Sequence, residues 1–217
     1  MTAKLAEKEG FAALVLRLRA EGISDIDLLT AVEQTPRSLF VPPQFVENAY
    51  SSRTIPIECG SFLEGVDFAV RLLHHLKVRP GQRVLEIGTG SGFTAAVIGR
   101  IAERVLTVDR YKTLTLSAQR RMEALSLRSV IIRQADGSNG MQGEGTFDRI
   151  LVTAAFNSMP RFYADQLVSG GSMIAPLMIS EDECRMVRLT KTGSRFEREE
   201  LFAAPYLPIV PRLASQL

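Results

Sequence analysis

The sequence predicts an α/β protein on a doubly wound parallel sheet with helices on both faces. It adds an N-terminal helical extension and a C-terminal antiparallel hairpin. Three observations carry this. From residue 83 onward, short apolar runs alternate with helix-period stretches, the pattern of successive βαβ units. The first run, Arg83–Ile87, leads straight into a turn with glycine at positions 88, 90 and 92. Acidic residues then follow the next two runs, at the strand ends where open α/β sheets gather ligands.

The elements follow in order. Residues 4–20 set Leu5, Phe11, Leu14, Val15 and Leu18 on one helical stripe, interrupted by Gly10. Ser24 with Asp27 reads as a capping box opening a helix through Glu33, which Pro36 stops. Residues 37–65 hold several prolines and glycines and read as loop with short helical pieces. Residues 63–76 read as an amphipathic helix ending at the turn Arg79-Pro80-Gly81. Strands are then expected at Arg83–Ile87, Arg104–Asp109, 129–133, 149–153 and 172–176, with helices over 93–102, 113–125 and around 160–168. Two late runs, 184–190 and 195–203, flank Lys191-Thr192-Gly193-Ser194 and read as a hairpin.

Composition narrows the function classes. With 46% apolar and 23% charged residues, the 217-residue chain reads as an ordinary globular protein. A net charge of +2 gives no electrostatic footprint for nucleic acid or an anionic membrane. Cys59 and Cys184 lie far apart without metal spacing, so two free thiols and no metal are expected. Early charges at Lys4, Glu7, Lys8 and Glu9 do not form a secretory signal, and no run is long enough to span a bilayer. A cytoplasmic location is the expectation. His74-His75 falls on a helix, where neighbours diverge by about 100°, so a structural or surface role is expected.

The glycine turn carries the chemistry. Glycines let the backbone approach a ligand closely, and the following helix offers free N–H groups to an anion. A dinucleotide fingerprint would put its third glycine at position 93, where this chain has Phe93. The spacing G-x-G-x-G instead suits S-adenosylmethionine, whose product is S-adenosylhomocysteine. Gly88, Thr89, Gly90, Ser91 and Gly92 are then expected around the methionine moiety, with Glu86 holding its ammonium or orienting the loop. Asp109, 21 residues after Gly88, is placed to accept both ribose hydroxyls, with Arg110 beside it. Asp136 is placed for the adenine amino group, and Gly137 lets the ring lie flat. A soft boundary near residue 79 separates an N-terminal region (1–79) covering this site from the cofactor-binding part (80–217), the two forming one compact unit.

These residues resemble the protein-L-isoaspartate O-methyltransferase family. The similarity continues through Thr35-Pro36-Arg37, Phe40-Val41-Pro42, Ala49-Tyr50 and Ile55-Pro56-Ile57, then Arg83 to Gly92. It includes Thr107 to Arg110, Ala135-Asp136-Gly137, Phe147 to Ala155, Leu167 to Gly171 and Pro205 to Val210. The resemblance implies a Rossmann-like methyltransferase fold and methyl transfer to the free carboxyl of isoaspartyl residues in damaged proteins or peptides.

One segment departs from the family. Where the family continues "GHGQTISQP", this chain reads Glu58-Cys59-Gly60-Ser61-Phe62-Leu63-Glu64-Gly65-Val66. Phe62 stands in place of the family's Thr, and Glu64 in place of the Ser regarded as catalytic, so these two are the candidate acceptor-side residues. A carboxylate acceptor is already ionised at neutral pH and needs no base, so the missing hydroxyl costs positioning only. A carboxylate in its place is a larger change. Two like charges ~4 Å apart repel by about 4 kcal/mol at an effective dielectric near 20. The departure leaves open a paralogue with another acceptor, or a cofactor-binding module without turnover.

Overall fold

The computed structural model describes residues 3–214. Its centre is a seven-stranded sheet ordered β5-β4-β3-β6-β7-β8-β9. The strands are β3 (Arg83–Ile87), β4 (Arg104–Asp109), β5 (Val130–Gln134), β6 (Phe147–Val152), β7 (Leu167–Met178), β8 (Cys184–Thr192) and β9 (Arg195–Ala203). The first five run parallel, while β8 and β9 pair antiparallel at one edge. The chain winds outward from β3 to β5 and then returns to β6 on the other side of β3. The direction reverses there, which opens a crevice at the strands' carboxyl ends.

Alternation along each strand sorts the core onto two faces. Val84, Val105, Ile132, Leu151 and Ile174 point to one side, where they meet the five α-helices. These are α1 (Ala3–Ala20), α2 (Ile26–Glu33), α3 (Val66–Leu76), α4 (Phe93–Gly99) and α5 (Lys112–Ala124). Leu85, Leu106, Val108, Ile150 and Val152 point to the other side, against Phe147, Phe156 and Tyr163. That face is covered by loops and the 3-10 helix Arg161–Gln166, which takes the place of the helix expected around 160–168. Both faces of the central strands are buried, which explains why apolar residues occupy successive positions, as at Val84-Leu85 and Val105-Leu106.

The N-terminal region docks onto the helical face. α1 continues through Gly10, whose missing side chain makes room for the Tyr50 ring: a Cβ would sit 2.4 Å from it. Arg17 joins α1 to α3 by a bidentate pair with Asp67, at 2.6 and 3.0 Å. Two expectations are corrected here. The cap of α2 is Asp25, which accepts from the Leu28 N–H, so the Ser24–Asp27 box does not form. The helix expected from residue 63 begins at Val66, because Phe62–Leu63 (β2) pairs antiparallel with Ile55–Pro56 (β1). Strands this short show no period to read. The hairpin β1–β2 carries the divergent segment across the carboxyl edge of the sheet. Cys59 and Cys184 are both free.

Candidate functional site

A cleft of about 920 Å³, counting the solvent at its mouth, lies over the carboxyl ends of β3 to β6. Its floor is the turn after β3. Gly88 has φ +97°, and a Cβ on it would sit 2.2 Å from the Thr153 hydroxyl. The Gly88 and Thr89 N–H groups both donate to the Val108 carbonyl, at 2.8 and 3.2 Å, pinning the turn to β4. Gly90 (φ +51°) turns its N–H onto Asp109 Oδ2 at 3.0 Å. Gly92 faces away from the cleft, where a Cβ would press on Ala118 and Met122 at 3.0 Å.

Glu86 lies beneath this turn and is fully buried. Its two oxygens accept from the hydroxyls of Thr94 (2.5 Å) and Thr107 (2.6 Å). Thr107 is also 2.7 Å from the Thr89 hydroxyl, so the carboxyl ties β3, β4, α4 and the glycine turn together. With both oxygens so engaged, Glu86 stands where it orients the loop; it is not on the cleft wall. Burial pushes its carboxyl up to about 7, against the pull of the two threonine hydroxyls.

Asp109 and Asp136, the two acids expected toward ribose and adenine, both line the cleft. Asp109 ends β4, with Oδ1 accepting from the Tyr111 N–H at 3.0 Å. Burial raises its carboxyl above the ordinary range, although backbone N–H groups pull the other way. Asp136 is held by the N–H groups of Ser138 (2.9 Å) and Arg212 (2.6 Å). Partial burial raises it, but those donors and the Arg110 charge outweigh burial and hold it below the usual value. Gly137 presses against the sheet end, where a Cβ would meet Ile87 at 2.5 Å. Arg110 lies between the two acids on the cleft wall.

The opposite wall comes from the hairpin β1–β2 and the C-terminal stretch. Phe62 and Glu64 both line the cleft. Glu64 Oε1 accepts from the Tyr206 hydroxyl at 2.5 Å, and the Phe62 ring stacks on Tyr206 with centroids 6.1 Å apart. Burial raises Tyr206 well above its ordinary value, and the Glu64 charge adds to that, so the phenol keeps its proton and donates. Behind Glu64 lies Arg37, 1% exposed, which donates to the Glu64 carbonyl at 2.5 Å and sits 4.1 Å from the Phe93 ring centroid. Its Nε and Nη1 have no partner among the described residues. Burial lowers this guanidinium to about 10, with the Glu64 charge acting in the opposite sense.

Every residue expected at the cofactor or acceptor lies in or directly under this one cleft. Glu86 and Gly92 support it from beneath, and the other ten line it. Sequence reasoning gave no site role to Thr153, Tyr206, Ile209 or Val210, which also line the cleft. Pro205 to Val210 carried a signal through its family resemblance, but nothing local linked it to residue 64. The cleft's charged side chains are Glu64, Asp109, Asp136 and Arg110, so it is acidic on balance and suits a cationic ligand. No group of three or more metal-ligating side chains occurs among the described residues.

The architecture is shared with solved proteins. A protein from Plasmodium falciparum, crystallised in complex with S-adenosyl-L-homocysteine, superposes with a TM-score of 0.80 at 20% identity, covering 91% of this chain and 97% of that one. A solved protein-L-isoaspartate O-methyltransferase superposes with a TM-score of 0.81 at 23% identity, covering 94% of this chain and 67% of the other. Sequence relatives are nearer. The protein-L-isoaspartate O-methyltransferase of Rhizobium meliloti (strain 1021) is 66% identical over 204 residues, covering 94% of this chain and all of the relative. That of Azorhizobium caulinodans is 38% identical over 217 residues, the full length of both. The family model for protein-L-isoaspartate(D-aspartate) O-methyltransferase matches residues 9–214. With a family match of that extent, and a glycine turn and two acids converging on one cleft, the chain belongs to the protein-L-isoaspartate(D-aspartate) O-methyltransferase family.

Proposed function

We propose that this protein methylates the free carboxyl of isoaspartyl residues in damaged proteins or peptides, with S-adenosylmethionine as donor. The carrying observation is the convergence of Gly88–Ser91, Asp109 and Asp136-Gly137 with Phe62 and Glu64 in one cleft. The cofactor, when bound, supplies an electrophilic methyl group on a sulfonium.

The chain's residues bind, align and exclude water. The glycine turn, oriented by Glu86, takes the methionine moiety. Asp109 accepts from the ribose hydroxyls with lone pairs left over from Gly90 and Tyr111, and Asp136 with Gly137 takes adenine. The acidic lining favours the cofactor's net positive charge. The acceptor carboxylate enters beside Phe62 and Glu64. Being already ionised, it needs no general base, and the work of the site is in-line alignment and exclusion of water. No helix among the described residues is long and apolar enough to cross a membrane.

The test is calorimetric S-adenosylmethionine binding together with labelled methyl transfer to paired isoaspartyl and aspartyl peptides. Transfer to the isoaspartyl peptide alone is expected. Absence of transfer at saturating cofactor overturns the proposal.

A further inference from the structure

The wall of the cleft opposite Asp109 and Asp136 carries a carboxylate, Glu64, whose pose is fixed. Tyr206 donates to Glu64 Oε1 at 2.5 Å, Phe62 stacks on the tyrosine, and Phe68 meets it edge-on with centroids 6.0 Å apart. The second oxygen, Oε2, accepts from no donor among the described residues and is not among the buried, unpartnered atoms. It is therefore an open acceptor on the cleft wall. A carboxylate recognises N–H or O–H donors. An approaching carboxylate is not one, so Glu64 has to read a different part of the acceptor.

The chemistry of the acceptor supplies that part. In an isoaspartyl residue the free carboxyl sits on the carbon that also bears the residue's own amide N–H. In an aspartyl residue the free carboxyl lies one carbon further from that N–H. A fixed hydrogen-bond acceptor beside the transfer point can measure this spacing. We propose that Glu64, positioned by Tyr206, accepts the isoaspartyl amide N–H and so sets specificity for the isoaspartyl linkage. The inference rests on the function proposed above. Arg37, close behind Glu64, offsets the charge the acceptor carboxylate would otherwise meet, while Glu86 and Asp109 lie deeper in the site. A desolvated polar group left unpaired costs binding, so a substrate lacking the N–H is penalised.

The experiment compares an isoaspartyl peptide with its twin N-methylated on the isoaspartyl nitrogen, in wild type, Glu64→Ala and Glu64→Gln. Wild type should lose at least tenfold in kcat/KM on N-methylation. Glu64→Ala should treat the two peptides alike to within about twofold, and Glu64→Gln should narrow the discrimination, because only one of its two terminal atoms can accept. Tyr206→Phe should raise KM for the unmethylated peptide several-fold at near-constant kcat and narrow the discrimination, a split that a merely structural role would not produce. A circular-dichroism spectrum and urea midpoint close to those of wild type certify each variant's fold. Equal sensitivity to N-methylation in wild type and variants overturns the inference while leaving the proposed function intact. Absence of transfer to any isoaspartyl peptide, by wild type and variants alike, overturns the function and the inference with it.

Discussion

The two walls of the cleft are built in opposite ways. The cofactor wall is assembled from strand ends and the turns that follow them, and its acids are fixed by backbone N–H groups: Asp109 by Gly90 and Tyr111, Asp136 by Ser138 and by Arg212 from the C-terminal stretch. The acceptor wall is assembled across the chain: Glu64 is fixed by a hydroxyl 142 residues distant. The first wall tolerates almost no change in shape, because glycines and a buried carboxyl fill it to contact. The second is held by the Tyr206 and Arg37 hydrogen bonds to Glu64 and by aromatic stacking, and it carries the segment expected from the sequence to differ from the family resemblance. On the proposed reading, the donor's wall depends on the backbone path that places its acids, and the acceptor's wall on contacts between distant side chains.

Breaking the cofactor wall should have the largest effect. Gly88→Ala combines a φ of +97° with a Cβ placed 2.2 Å from Thr153, whose β-branched side chain has little freedom to move. Strain and overpacking together should cost about 4 kcal/mol, read as a fall of two orders of magnitude or more in calorimetric cofactor affinity. Comparable affinity in this variant would show that the turn is not the donor's floor.

The next effect is a pH dependence. Glu86 is raised by burial to about 7, so in the folded protein it stays protonated while an unfolded glutamate has already ionised. The folded state binds more protons over roughly pH 4.5 to 7, and stability from this group is therefore complete below that window and lost across it. At 1.36 kcal/mol per pKa unit the loss is about 3 kcal/mol. Glu86→Gln should remove that slope from denaturant unfolding measured at pH 5 and pH 8. An unaltered slope would mean that another buried acid, such as Asp109, carries it.

Breaking the acceptor wall should barely register in stability. Tyr206→Phe removes a hydrogen bond that water in the cleft partly replaces, costing about 1 kcal/mol in urea unfolding. A loss as large as that of Gly88→Ala would erase the contrast between the walls.

The same contrast explains what the sequence made legible. The parallel strands, the glycine turn, Asp109 and Asp136-Gly137 could be read because each is a local pattern at a strand end. The capping of α2 was misassigned by one residue, since Ser24 and Asp25 are both good caps and only the backbone geometry chooses between them. The hairpin β1–β2 was invisible because two-residue strands carry no alternation. Tyr206 was missed as a site residue for a physical reason: its role exists only through tertiary contact with Glu64 and Phe62.

The long reach of the Glu64–Tyr206 bond also sets an order in time. On a ribosome, every strand-end residue of the cofactor wall is made before residue 206. The partner that locks Glu64 arrives later, and contacts between distant segments are slow to form. A growing chain can therefore shape the donor's floor before it has any means to recognise an acceptor. The Glu64 lock is thus among the last parts of the cleft to form, together with the Arg212 N–H that holds Asp136.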